Sequence, residues 1–353
     1  MKNLEKYLSL LDDTTGLLLT SRYSRHYCAE FDIAEGIALV SKQGCRYFTD
    51  FRYIESAQNG IENMQVQQTN RDNPYSVLIN NAIADFGLTA LGYEEAYLTV
   101  AELQSFEEKL NAKLIPMNES IHAFRAIKEE WELERMRKAQ AITDKAFSEV
   151  LGRIKAGQTE LELQAELIYC LYKNGAEGLS FDPIVVSGPN TSLPHGVAGD
   201  RVIQEGDFIT MDFGVIVGGY CSDMTRTVAV GYVTDEMEKV YKTVLAAQQA
   251  GIAATKAGMV GKDVDAAARK VIEDAGYGPY FGHSYGHSLG LEVHENPNCS
   301  PREERVLAEN TVCSAEPGIY LPGKFGVRIE DTIVFKENGY EDLTHSPKNL
   351  IIV

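Results

Sequence analysis

The sequence predicts two consecutive domains, an α/β domain followed by a larger domain of mixed helices and strands. With 353 residues, the chain is too long for one small hydrophobic core. Short apolar runs alternate with helical patterns up to about residue 120, which is typical of an α/β domain. A long charged helical pattern then begins at Glu129, and short sequence elements recur beyond it. We therefore expect domains at residues 1–124 and 125–353.

The first domain is predicted from its alternating segments. An amphipathic helix over Lys2–Leu11 opens it, and Asp50 is a candidate N-cap for a helix through about Gln58. The other segments are Leu17–Thr20, Ile37–Val40, Arg46–Thr49, Val66–Thr69, Pro74–Phe86, Ala90–Tyr93, Val100–Leu110 and Lys113–Pro116.

The second domain is predicted to contain a diverged repeat. After a helix from Glu129 to about Ile154, the tripeptide Lys155-Ala156-Gly157 recurs 101 residues later as Lys256-Ala257-Gly258. Each copy precedes another helical pattern, over Glu160–Lys173 and Val264–Asp274, and strands follow. Two similar halves would then face each other, with a site between them.

Charge and cysteine usage exclude several classes of protein. The formal net charge of −18 argues against binding a nucleic-acid backbone, which requires a basic face. No stretch approaches 18 consecutive apolar residues and the first residues contain no signal-peptide core, so we expect no membrane association. The six cysteines form no paired motif, which favours free thiols and a cytoplasmic location.

Two aspartates are predicted to meet on one hairpin. Side chains alternate faces along a strand, so Asp212 shares a face with Phe208 and Thr210. After a turn at Gly218-Gly219, Asp223 shares a face with Thr225 and Thr227 on the returning strand. Because two neighbouring carboxylates repel each other, this pair indicates a bound cation.

Two glutamates follow in extended segments near the end of the chain. Pro317 biases Glu316 toward extended geometry, which fixes the direction of its carboxylate. In the alternating run Val327–Ile333, Glu330 lies on the polar face, so we prefer Glu330 to Asp331 as a ligand.

Histidines complete the candidate site. His283 and His287 have the spacing of a zinc-binding helix, but Ser284 stands where that motif needs Glu, and the flanking glycines oppose a helix. One histidine ligand among oxygen donors favours Mn²⁺ or a similar ion. His195 and His294 remain as groups near the metals or the substrate.

Five stretches resemble the Xaa-Pro peptidases (aminopeptidase P and prolidase) of the pita-bread metallopeptidase family M24. They are SFDPIVVSGPNTSLPHG, TMDFGVIVGGYCSDMTRT, GHSYGHSLGLEVHE, SAEPGIYLPG and GVRIEDT, in family order within residues 180–332. The first domain resembles the family's creatinase-like N-terminal domain more loosely, through FTDFRYIESA at residues 48–57. The resemblance implies an α+β pita-bread domain with pseudo-twofold halves after the α/β domain.

The same resemblance implies the roles of individual residues. Asp212 would bind one metal, Asp223 and Glu330 would bridge two, and His287 and Glu316 would hold the other. Glu316 would also transfer protons. The residues at the family's outer catalytic positions are His195, His283, His294 and Arg328.

The implied activity is hydrolysis of the Xaa-Pro bond with two divalent metal ions, Mn²⁺ first and Co²⁺ or Zn²⁺ as alternatives. We expect an Xaa-Pro aminopeptidase that acts on peptides with proline at the second position. The alternative is an Xaa-Pro dipeptidase restricted to dipeptides. A non-catalytic scaffold is a remote alternative, because such relatives lose ligands and all five are present here. The family also implies a homodimer.

Overall fold

The computed structural model describes residues 3–353, and the chain divides into two compact units between Arg125 and Ala126. Each unit has its own sheets and its own hydrophobic core. None of the helices within residues 3–353 combines the length and the apolarity needed to cross a bilayer.

The first unit is built on one mixed sheet with the strand order β4-β3-β2-β1-β5-β6. Its strands are β1 Thr15–Leu19, β2 Ile37–Ser41, β3 Gly44–Thr49, β4 Gln65–Gln68, β5 Ala90–Tyr93 and β6 Lys113–Pro116. Its helices are α1 Asn3–Leu8, α2 Arg22–Ala29, α3 Ile54–Gly60, α4 Tyr75–Phe86, α5 Val100–Lys109 and α6 Asn118–Ala123. The antiparallel pairs β1–β2 and β2–β3 form the centre, and parallel pairs flank them, so the predicted α/β class is confirmed.

Two helix boundaries in this unit differ from the predictions. The opening helix ends at Leu8 rather than Leu11, and Lys2 lies outside the described residues. Asp50 is not an N-cap, because α3 begins at Ile54. The Asp50 carboxylate instead accepts a hydrogen bond from the backbone N–H of Arg52 at 2.8 Å. Aspartate side chains readily close such local turns, and here the turn delays the helix.

The second unit combines helix pairs with antiparallel sheets. Its helices are α7 Glu130–Leu151, α8 Glu160–Lys173, α9 Asp235–Ala254 and α10 Gly261–Asp274. Its strands are β7 Gly178–Leu179, β8 Ile184–Ser187, β9 Phe208–Phe213, β10 Val215–Val217, β11 Tyr220–Cys221, β12 Met224–Ala229, β13 Gly286–Ser288, β14 Glu295–Cys299, β15 Val312–Ala315, β16 Gly318–Leu321, β17 Phe325–Arg328, β18 Asp331–Lys336 and β19 Gly339–Asp342. The sheets have the orders β12-β9-β8, β14-β13-β15-β18-β19, β11-β10-β7 and β16-β17.

The predicted repeat is visible in the two helix pairs. α8 and α10 begin and end at the same offset of 101 residues, and each packs on the helix before it. The turns match as well. Gly157 and Gly258 have φ angles of 95° and 89°, and Gly175 and Gly276 have 104° and 85°. These left-handed conformations disfavour side chains, which explains why glycine stands at the corresponding positions of both halves.

Replacing either glycine of the KAG turns should destabilise the second unit. A Cβ at Gly157 or Gly258 would meet no heavy atom of the described residues within 4 Å, so only backbone strain opposes alanine there. We expect Gly157→Ala and Gly258→Ala each to lower the free energy of unfolding by about 1–2 kcal/mol in urea titrations. Gly152→Ala is the matched control, because Gly152 has a φ of −72° at the end of α7. An equal loss of unfolding free energy in all three variants would show that backbone strain at positive φ is not the cause.

Candidate metal centre

The β9–β12 hairpin carries two of the predicted ligands. The register pairs Asp212 with Thr225 and Phe213 with Met224, as the alternation predicts. Asp223 lies just before β12, where the hairpin passes into the β10–β11 ribbon. At this point a Cβ on Gly214 would lie 1.9 Å from the Ser222 carbonyl oxygen, so only glycine allows the two strands to approach. The hairpin therefore brings both aspartates to one face.

Other strands bring the remaining ligands to this face. One ligand atom each from Asp223, His287 and Glu330 lies within 4.8 Å of the other two. His287 Nε2 is 3.6 Å from Asp223 Oδ2 and 3.3 Å from Glu316 Oε1. His287 belongs to β13, and Glu330 lies between β17 and β18. Residues far apart in sequence thus form one cluster.

The cluster contains buried oxygens without hydrogen-bond partners. Arg328 Nη2 donates to Asp212 Oδ2 at 2.6 Å. Within residues 3–353, the other oxygen of Asp212 and Oδ1 of Asp223 are buried and accept no hydrogen bond. A buried carboxylate oxygen without a partner is energetically costly, and a metal ion is the usual way to satisfy it.

Backbone contacts fix the tautomer of His287. Its Nδ1 lies 3.2 Å from the Ser288 carbonyl oxygen, which can only accept, so Nδ1 carries the hydrogen. The lone pair of Nε2 then faces the carboxylates. Burial lowers the pKa of His287, which keeps the ring neutral. This is the form in which imidazole binds metals.

Burial and mutual repulsion raise the pKa values of three carboxyl groups. The pKa of Asp223 is well above its ordinary value because of burial first and then the charges of Asp212 and Glu316. Burial and the neighbouring Asp223 likewise raise the pKa of Glu330, and burial raises that of Glu316. Without a compensating cation, burial and repulsion favour the protonated forms of these groups.

Arg328, which contacts Asp212, is joined to His283 by a tyrosine. Arg328 Nη1 donates to the Tyr320 hydroxyl at 2.9 Å, and that hydroxyl is 2.9 Å from His283 Nε2. His283 Nδ1 is 2.8 Å from the Ser284 carbonyl oxygen, so it carries the hydrogen and Tyr320 donates to Nε2. Both ring nitrogens of His283 are thus engaged by the protein.

His294 and His195 lie at the exposed edge of the cluster. The ring centroid of His294 is 4.3 Å from that of His287. Partial desolvation, followed by repulsion from His287 and His195, lowers the pKa of His294. The loop that bears His195 is fixed by the buried carboxylate of Glu160, which accepts hydrogen bonds from the backbone of Ser187 at 2.7 Å and of Gly199 at 3.1 Å.

Sequence reasoning did not single out three supporting side chains. Thr225 donates to Glu330 Oε2 at 2.6 Å, and Ser314 donates to Glu316 Oε1 at 3.0 Å. Tyr320 is the third. Thr225 and Ser314 could have been predicted, because each lies two residues from a ligand candidate, Asp223 or Glu316, and side chains two residues apart in a strand share a face. Tyr320 offers no such signal, because its role depends on the pairing of β16 with β17.

The donor set fits divalent metal ions. Four carboxylates and one imidazole converge in a buried place, and two of their oxygens lack protein partners among the described residues. Oxygen-rich sets of this kind suit hard or borderline divalent ions rather than a thiolate-type site.

The metal-free protein should lose stability as the pH rises. Where Asp223 and Glu330 have raised pKa values, the folded protein holds protons that the unfolded chain releases, so the free energy of unfolding falls from about pH 4 upward. Between pH 5 and pH 8, we expect the Tm of stripped wild type to fall more than that of Asp223→Asn/Glu330→Gln. Each kcal/mol corresponds to about 2–4 °C.

The control for that comparison is Asp274→Asn/Glu304→Gln, which removes the same formal charge from exposed positions. This variant should keep the wild-type slope. If Tm falls with pH at the same slope in all three proteins, the buried carboxylates do not destabilise the metal-free protein by repulsion.

Comparisons with known proteins identify the family of this chain. The model of metallopeptidase family M24 matches residues 134–337, and that of the creatinase/prolidase N-terminal domain matches residues 4–127. A relative, Xaa-Pro dipeptidase of Pyrococcus furiosus, is 42% identical over 73% of this chain and 74% of its own. A solved Xaa-Pro dipeptidase from Bacillus anthracis is 40% identical, with a TM-score of 0.96 over 100% of this chain and 99% of that one. An X-Pro aminopeptidase from Thermotoga maritima is 37% identical, with a TM-score of 0.94 over 100% of both chains. The chain belongs to metallopeptidase family M24, and its pita-bread domain follows a creatinase-type N-terminal domain.

Proposed function

We propose that the protein is an Xaa-Pro dipeptidase that works with two divalent metal ions. The observation that carries the metal-dependent hydrolysis is the cluster of Asp212, Asp223, His287, Glu316 and Glu330, in which two buried carboxylate oxygens have no partner among the described residues. The complete ligand set also opposes a non-catalytic scaffold.

The dipeptidase reading rests on the relatives rather than on the cluster. From the sequence we expected an aminopeptidase, with the dipeptidase as the alternative. The Pyrococcus furiosus and Bacillus anthracis relatives are both named Xaa-Pro dipeptidases, which favours the alternative. The Thermotoga maritima structure bears the name X-Pro aminopeptidase, so longer substrates must be tested directly.

Asp212 would hold one metal, Asp223 and Glu330 would contact both, and His287 and Glu316 would hold the second. Such ions polarise a carbonyl group and lower the pKa of bound water toward about 7. We propose Mn²⁺ as the physiological ion because the donors are mainly oxygens, and Co²⁺ or Zn²⁺ fit the same donors.

Hydrogen bonds from neighbouring side chains orient two of these carboxylates. Arg328 neutralises Asp212 from behind, so one carboxylate oxygen is fixed and the other points into the cluster. Ser314 and His287 both contact Oε1 of Glu316. Oε2 of Glu316 is then the atom that would accept the proton of the attacking water and deliver it to the prolyl nitrogen.

The exposed histidines are suited to the substrate. His294 is held neutral by its lowered pKa, so its N–H can donate to the oxygen of the scissile carbonyl. His195 lies on the neighbouring loop and would contact the same end of the substrate. His283 would act through Tyr320 and Arg328, because both of its ring nitrogens are engaged.

The proposal also covers the cellular location and the partners of the protein. The six cysteines are free thiols, which supports a reducing compartment such as the cytoplasm. The net charge of −18 opposes nucleic-acid binding. A homodimer and a peptide substrate with proline at its second position complete the proposal.

Removing one carboxylate charge from the cluster should abolish turnover without unfolding the protein. Glu316→Gln and Asp223→Asn keep the side-chain shape but remove a metal-binding and proton-accepting oxygen. We expect kcat on an Xaa-Pro dipeptide to fall at least about 10³-fold, since proton transfer and metal catalysis each contribute 10²-fold or more. Circular dichroism should stay that of wild type. The control is Asp274→Asn, at an exposed surface position. Turnover near wild type in either cluster variant contradicts the ligand scheme.

A paired assay separates the two substrate classes. Metal-stripped protein is reloaded with Mn²⁺ and given an Xaa-Pro dipeptide or the same sequence extended by two residues. We expect cleavage of the dipeptide and at least about tenfold lower kcat/KM on the longer peptide, a loss of about 1.4 kcal/mol in transition-state binding. Equal cleavage of both would identify an aminopeptidase instead. Cleavage of neither would favour the scaffold.

A further inference from the structure

Two residues directly behind the cluster form a fully buried ion pair. Thr225 and Glu330 face the cluster, and the next residues in sequence, Arg226 and Asp331, face the opposite way. Arg226 Nη2 lies 2.7 Å from Asp331 Oδ1, and the two side chains are 1% and 0% exposed. Neither residue has a role in the proposed chemistry.

The guanidinium of Arg226 holds several main-chain segments together. Nη1 donates to the carbonyl oxygens of Glu330 at 2.5 Å and Thr225 at 3.0 Å. Nη2 also donates to the Ser346 carbonyl at 2.8 Å, and Nε donates to that of Pro347 at 3.1 Å. One side chain thus joins the backbone of Glu330, the β12 strand and the segment near the end of the chain.

Asp331 completes the buried network. Its Oδ2 accepts hydrogen bonds from Gln248 at 2.7 Å and from Lys348, which also bonds Asp342 at 3.1 Å. These contacts fix the Asp331 carboxylate on both sides, and the carboxylate in turn holds the guanidinium of Arg226 in place.

Glu330 needs such support because it lies outside the regular strands. β17 ends at Arg328 and β18 begins at Asp331, in a different sheet. The backbone of Glu330 bonds Thr225 through its own N–H at 3.1 Å, and its carbonyl oxygen bonds Arg226. Among residues 3–353, no strand ladder includes Glu330, so the direction of this residue depends on these individual contacts.

We infer that Arg226 is a positioning residue for the metal centre: with Asp331 and residues 346–348, it holds the main chain of Glu330 so that the carboxylate points at the metals. This inference rests on the assignment of Glu330 as a ligand in the proposed function. It also gives residues 346–348 a part in metal binding, because Ser346, Pro347 and Lys348 hold the ion pair on the side away from the cluster.

The variant Arg226→Lys separates the effect of the positive charge from the effect of the hydrogen-bond geometry. An ammonium group keeps the charge that pairs with Asp331 but lacks the planar fork needed to reach the carbonyl oxygens of Glu330, Thr225 and Ser346 together. Arg226→Lys should therefore loosen Glu330 while leaving the buried charge compensated. Arg137→Lys is the matched control, because Arg137 bonds Glu341 at 2.6 Å and Glu130 at 2.6 Å, outside the cluster.

The experiment titrates metal-stripped full-length variants with Co²⁺ and records the visible absorption of the bound ion and the Tm. For Arg226→Lys, we expect Co²⁺ affinity to fall about 10–100-fold, as when other supports of metal ligands are lost, and the absorption spectrum to change. Arg137→Lys should bind like wild type. If Arg226→Lys lowers the Tm but keeps the wild-type affinity and spectrum, Arg226 only supports the fold and the inference is overturned.

Glu330→Gln distinguishes failure of the inference from failure of the proposed function. Loss of at least one Co²⁺ equivalent in Glu330→Gln, with normal binding in Arg226→Lys, would reject the positioning role alone. Wild-type binding by Glu330→Gln would reject the ligand assignment itself. Should Arg226→Lys fail to fold, Asp331→Asn keeps the shape of its side chain and is judged by the same titration, with the same expected loss and the same overturning result.

Discussion

The mutual repulsion of buried carboxylates is the constraint on which the second unit depends. Asp223 and Glu330 are almost inaccessible to solvent, and Asp212 and Glu316 lie beside them. Burial of this much negative charge is unfavourable unless cations compensate it. The surrounding contacts, from Arg328, Thr225 and Ser314, orient these oxygens but do not neutralise them all. The arrangement is therefore explained by the ions that it would bind, and not by its own stability.

The fold supplies the rigid elements that such a site requires. Ligands on neighbouring strands are held in direction by hydrogen bonds along the backbone, which makes a site more precise than one built on loops. The backbone hydrogen bonds of β9 fix the direction of Asp212, and those of β13 fix the direction of His287. Asp223, Glu316 and Glu330 lie just outside the strands, and at Glu330 the buried guanidinium of Arg226 donates a hydrogen bond to the main-chain carbonyl oxygen. At Gly214 the lack of a side chain lets two strands approach closely, since a Cβ there would lie 1.9 Å from the Ser222 carbonyl oxygen.

Much of this arrangement could be predicted from local pattern. Strand parity placed Asp212 and Asp223 on one face and preferred Glu330 to Asp331, and the structure shows Asp331 engaged by Arg226 on the other side. The glycine-rich run around His283 and His287 was correctly excluded as a helix. Residues whose role depends on distant pairing were missed. Tyr320 meets His283 and Arg328 only because β16 and β17 form a hairpin, and Arg226 reaches residues 346–347 across the fold. The prediction that Asp50 caps a helix was wrong because an aspartate carboxylate can also close a turn, as it does here.

We expect five side chains to hold two metal ions. Anomalous diffraction from a crystal grown with Mn²⁺ tests this expectation most directly, because the signal locates the ions independently of activity. We expect two anomalous peaks within the cluster: Asp223 and Glu330 would contact both, Asp212 would contact one, and His287 and Glu316 would contact the other. A single peak, or peaks away from these residues, would contradict it.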